Sequence, residues 1–123
     1  MKIDISNSEL CDKYSILEIK LLNNLDVVKE SSLLSKQFQE LIDEHPTLKY
    51  YYEILFSINK QLWLIEDEKR TCEKNKNFNS KFILLSRSVY MLNDQRAAIK
   101  KIIDVITESF LTEEKSYEHL RKK

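Results

Sequence analysis

The side chains in this sequence with most chemistry to offer gather around Arg96. In the stretch VYMLNDQRAAIKKIID, Val89, Leu92, Arg96, Ile99 and Ile103 recur at helical spacing, so an otherwise apolar seam holds a guanidinium in its middle. Asn93, Asp94 and Lys100 lie about one turn away, and Arg87 lies on the same predicted helix. A second polar group, Glu66, Asp67, Arg70 and Glu73, sits where the preceding apolar seam fades. If the two helices pair antiparallel about the polar turn KNKNFNS, Arg96 falls opposite Asn59 and Arg87 falls near the level of Asp67 and Glu68.

Two chemistries follow from that arrangement. One is a buried ion-pair network that holds two long helices in register where their Leu/Ile seams would otherwise slide. The other is an anion pocket between helices, in which Arg87, Arg96 and Lys100, with Lys13 or Lys20 of the first helix, face a negatively charged ligand. In an enzyme of this kind the arginines would clamp an anionic metabolite such as a nucleotide sugar, and Glu66 or Asp94 would act as acid or base. Asn93, Asp94, Arg96, Lys100 and Arg87 together are more polar groups than register alone requires.

Sharper motifs are missing. Neither His45 nor His119 has a glutamate three residues before it, as a di-metal carboxylate bundle needs. Glu66 is followed three residues on by Lys69, and Asp67 by Arg70, so these charges pair along the helix and do not converge on a cation. Cys11 and Cys72 have no histidine near in sequence, and Ser86 and Ser88 have no evident base. The expectation is no metal and no cofactor.

The elements that must position these residues are helices. Ser6 and Glu9 in SNSE form a capping box for the first, whose face is Leu10, Tyr14, Leu17 and Leu21, and Asn23 and Asn24 suit its end. Asp26 is the expected cap of the second, with Val27, Leu34, Phe38 and Leu41 inward, and Pro46 ends it. The third starts near Thr47 and carries Leu48, Tyr51, Leu55, Ile58, Leu62 and Ile65. Asn79 or Ser80 caps the fourth, whose seam runs Phe82, Leu85, Val89, Leu92, Arg96, Ile99, Ile103 and Ile106. A short fifth helix is expected after Thr112. The fold class is therefore all-α, an antiparallel four-helix bundle with two long C-terminal helices bearing heptad-like seams.

Composition sets the outer bounds. A chain of 123 residues suits one domain spanning 1–123, and with 42% hydrophobic residues it can bury a core without staples. It has no glycine and a single proline, which excludes phosphate-cradling loops and tight hairpins. Twenty basic and twenty acidic side chains cancel, so nothing draws the protein to nucleic acid or to an anionic membrane. The opening Met-Lys-Ile-Asp has no leader-like apolar stretch and the cysteines are widely spaced, which predicts free thiols in a cytoplasmic protein.

Four blocks of the sequence, ELCDKYSILEIK, LWLIEDEKRTCE, FILLSRSVYMLNDQRAAIKKIID and EEKSY, are similar to those of a family of bacterial and viral helical proteins classed as a domain of unknown function. The resemblance spans nearly the whole chain and covers Glu9, Asp12, Lys13, Lys20, Glu66, Asp67, Arg70, Arg87, Asn93, Asp94, Arg96 and Lys100. The family's glycine before the first Glu-Leu is Ser8 here. Its members occur near glycosyltransferase and surface-polysaccharide genes. The resemblance thus implies a small cytoplasmic binding or accessory module of glycan or cell-surface biosynthesis, with a partner protein or an anionic small molecule as its ligand. The enzyme described above is the alternative. A third reading pairs the two long seams between chains in a homodimer.

Overall fold

The computed structural model describes residues 5–108, which form four helices: α1 (Asn7–Leu22), α2 (Val28–Glu44), α3 (Leu48–Lys74) and α4 (Ser80–Ile106). The expected fifth helix after Thr112 lies outside the described residues. Among the described residues there is no strand, and the arrangement is an all-α four-helix bundle. Two short helices lead and two long ones follow, of 16, 17, 27 and 27 residues.

Local chemistry sets the helix ends. Ser6 Oγ accepts from the Glu9 N–H and starts α1, and Asn79 Oδ1 accepts from the Lys81 N–H and starts α4. α2 differs from the expectation. Val27 occupies its cap position with no side-chain bond, and the Val27 N–H bonds the Leu25 carbonyl in a tight turn that leaves Asp26 exposed and outside the helix. Without glycine, the chain closes helices with other residues in the left-handed region. Asn24 (φ 62°) follows α1 and Lys76 (φ 53°) follows α3. At α3 the Asn77 N–H reaches the Cys72 carbonyl and the Lys76 N–H reaches Glu73, which satisfies the last carbonyls of the helix.

The core lies where α1 and α2 cover one half of the α3–α4 hairpin. Leu10 and Cys11 of α1, Leu41 of α2, Leu48, Tyr52 and Leu55 of α3, and Ile103 of α4 form its buried cluster. Tyr14, Phe38 and Tyr52 join three helices by ring contact, with centroids 4.6 Å apart for Tyr14–Phe38 and 4.4 Å for Phe38–Tyr52. The predicted seam of α4 faces inward along its whole length, Arg96 included. The other half of the hairpin is covered far less. Beyond Asn59, α3 buries only Cys72, and before Leu92, α4 buries no residue. No described helix is long and apolar enough to cross a membrane.

Lys76 holds a conformation in which a Cβ is unfavourable. Lys76→Gly is expected to raise stability by about 0.5–1 kcal/mol, read as the urea midpoint at constant slope. A lower midpoint would contradict this account of the α3 end.

Candidate functional site

Arg96 does not meet the acidic residues of α3. Its Nε donates to Asp12 Oδ1 at 3.0 Å and its Nη2 donates to Asp12 Oδ2, a bidentate fork onto a carboxylate of α1. Asp12 is 3% exposed and is held from three sides. Asn59 of α3 donates to Oδ1 at 2.9 Å and to Ser15 Oγ at 2.6 Å, and Lys100 of α4 approaches Oδ2 at 3.9 Å. Ser15 Oγ in turn donates to the Asp12 carbonyl at 2.7 Å. Among the described residues no buried side-chain nitrogen or oxygen lacks a hydrogen-bond partner.

α1 is thereby tied across the hairpin. Its first turn is held to α4: the Ser8 N–H and Oγ donate to the Asp104 carboxylate at 2.9 and 2.8 Å, and Lys100 donates to Glu9. Its last turn is held to α3, where the Tyr52 hydroxyl donates to Glu18. Asp104 accepts the Ser8 N–H at the start of α1 from another helix, and the Glu9 carboxylate is taken up by Lys100.

The electrostatics follow from these partners. Burial pushes the Asp12 carboxyl up, but the hydrogen bonds of Arg96 and Asn59 and the charges of Arg96 and Lys100 outweigh it, and the group lies below its ordinary value. The hydrogen bond to Asp12 raises Arg96 against a smaller opposing effect of burial. Burial first, and then the neighbouring Asp104 and Asp12 charges, push the Cys11 thiol up to about 12, so it holds its proton at neutral pH. The Tyr52 phenol is also raised, by burial and by its bond to Glu18.

The candidate residues read from sequence divide accordingly. Arg96 and Lys100 belong to the Asp12 cluster, and Asn93 touches it weakly, accepting from Arg96 Nη1 at 3.5 Å. Lys13 is exposed and Lys20 half-buried on α1, and neither makes an ion pair among the described residues. Asp67 pairs with Arg70 at 2.8 Å along its own helix, on an exposed face, and Glu66 is half-buried nearby. Arg87 and Asp94 are exposed. Arg87 makes no ion pair with Asp67 or Glu68 among the described residues, where Asp67 pairs with Arg70 one turn away on its own helix. Sequence reasoning placed Asn59 opposite Arg96 correctly but missed that Asp12 joins them. The one available signal was Asp12 itself, a carboxylate between Leu10, Cys11 and Tyr14 on an apolar face. Among the described residues no three His, Cys, Asp or Glu side chains converge on a metal position.

The chain belongs to a family of unknown function, DUF6165, whose model matches residues 1–121. No curated protein and no solved structure gives a match.

Removing the Arg96 fork leaves a buried carboxylate with too few donors. Arg96→Ala is expected to destabilise the fold by about 3 kcal/mol in urea unfolding at pH 7. Because folded Asp12 titrates below its unfolded value, its contribution is complete above about pH 4 and is lost as pH falls through the lower folded value. The stability gap between wild type and Asp12→Asn should therefore narrow below about pH 4. A gap independent of pH would contradict the ionised pair.

Proposed function

We propose that this DUF6165 member is a small accessory module that works by docking and not by catalysis, in the cytoplasm and in glycan or cell-surface biosynthesis. The setting rests on the sequence resemblance described above. The mode of action rests on the chain's own side chains. The observation that carries it is that the polar cluster is engaged within the chain, while large apolar side chains of the α3–α4 hairpin stand in solvent beyond it. Ile83, Leu84, Tyr90 and Met91 of α4 and Leu64 of α3 are all more than half exposed.

The Asp12 cluster has the wrong properties for turnover. A general acid or base working near neutral pH needs a carboxyl raised toward 7, and Asp12 is shifted the other way. Asp12 takes the Nε and Nη2 donors of Arg96, so a ligand anion would have to displace a buried carboxylate to reach that edge of the guanidinium. Cys11, the thiol beside the cluster, is fully buried and protonated. These features favour a clamp that holds α1 in place. The working surface is then the exposed part of the hairpin.

Thermal unfolding with phosphate, nucleoside diphosphates and nucleotide sugars at millimolar concentration tests this reading. The expected shift of the midpoint is below about 1 °C for each. A saturable rise with one of them in wild type, absent in Arg96→Lys, would overturn it in favour of an enzyme or a receptor for that anion.

A further inference from the structure

α4 is apolar on both of its long faces. Its seam packs inward, and on the opposite side Ile83, Leu84, Tyr90 and Met91 are 55, 61, 72 and 59% exposed. Phe82, Ile83, Ser86, Arg87, Tyr90 and Met91 line a shallow groove of about 580 Å³ along this side. Two charges lie on the same face, Arg87 between the Ile83–Leu84 and Tyr90–Met91 pairs and Asp94 beyond them, seven residues apart. Both are exposed, and neither makes an ion pair among the described residues. Beyond Asp94 the face continues with two small exposed residues, Ala97 and Ala98.

From this pattern we infer that the outer face of α4 docks a second copy of the same chain, antiparallel, about a two-fold axis between Tyr90 and Met91. The inference rests on the docking reading above and names its occupant.

A two-fold interface requires that if residue i meets residue j, then j meets i. In this register Arg87 of each copy lies level with Asp94 of the other, so one pair of residues supplies two symmetric ion pairs. Tyr90 and Met91 meet at the axis. Ile83 and Leu84 come over Ala98 and Ala97, where small side chains let the helices approach. Moving the axis to Asp94 would set Asp94 against itself and Arg87 against Lys101, so like charges exclude that register. The four large side chains expose roughly 500 Å² per chain, and a pair would bury about 1,000 Å² from them alone, the size at which specific interfaces begin. The Asp12 cluster lies on the other side of α4 and is not involved.

Sedimentation equilibrium of the full chain and three variants tests the inference. Wild type is expected to dimerise at micromolar concentration. Arg87→Asp and Asp94→Arg should each weaken the dimer by at least about tenfold, since each sets like charges together twice. The double variant Arg87→Asp with Asp94→Arg should recover association to within about threefold of wild type, because the pairs are re-formed with their signs exchanged. Both positions are exposed, so all the variants should show the wild-type helical circular dichroism, which separates lost association from lost folding. A wild type that stays monomeric at about 100 μM would overturn the inference, as would reversals without effect or a double variant as weak as the singles. None of these results bears on the anion panel, so a failed dimer and a failed docking reading remain distinguishable.

Discussion

Asp12 is the point on which the arrangement of this bundle turns. A carboxylate placed on the apolar face of α1 is costly to bury unless donors meet it on every side. Those donors come from helices far along the chain, Asn59 on α3 and Arg96 with Lys100 on α4. To satisfy Asp12, α1 must lie across the hairpin at one level, and the hairpin must be in the one register that sets Asn59 beside Arg96. Apolar contact alone would leave both choices loose, since Leu and Ile seams tolerate sliding. The ties at Ser8–Asp104 and Tyr52–Glu18 fix the two ends of α1 once Asp12 has fixed its middle.

Such a pair is not the cheapest way to fill a core. Well-packed apolar residues in the same space often leave a protein as stable or more so. What the pair adds is specificity of position, and Asn59 and Ser15 extend it into a network in which Asn59 donates to both Asp12 and Ser15. That network also separates the two halves of the molecule. Among the described residues, one half carries the buried polar contacts between helices and most of the core. The other is a two-helix extension with its outer apolar face open, which is why function is sought there.

Much of this was legible in the sequence, for physical reasons that also mark the limit. Helical periodicity reports which face of a helix turns inward, and the α4 seam from Phe82 to Ile106 and the α3 seam from Leu48 to Ile65 both do so. Caps depend on residues a few positions apart, so Ser6, Asn24 and Asn79 could be read locally. Asp26 failed because the tight turn at Leu25–Val27 passed it by. Partners across 84 residues are beyond any local signal, so Arg96 could be set opposite Asn59 but not joined to Asp12. The outer face of α4 was within reach: Ile83, Leu84, Tyr90 and Met91 all lie off the seam, and a helix apolar on both sides expects two neighbours. Lys76 in the left-handed region had no signal, because lysine does not favour it.

Direct coupling between Asp12 and Arg96 is what holds α1 to the hairpin. A double-mutant cycle with Asp12→Asn and Arg96→Gln, which remove the charges and keep polar side chains, isolates that term from the cost of each change alone. Urea unfolding at pH 7 should give a coupling of about 1.5–3 kcal/mol, the double variant being more stable than the two single losses add up to. Additive losses, within about 0.5 kcal/mol, would show that the pair does not hold α1 to the hairpin and would contradict the account at its base.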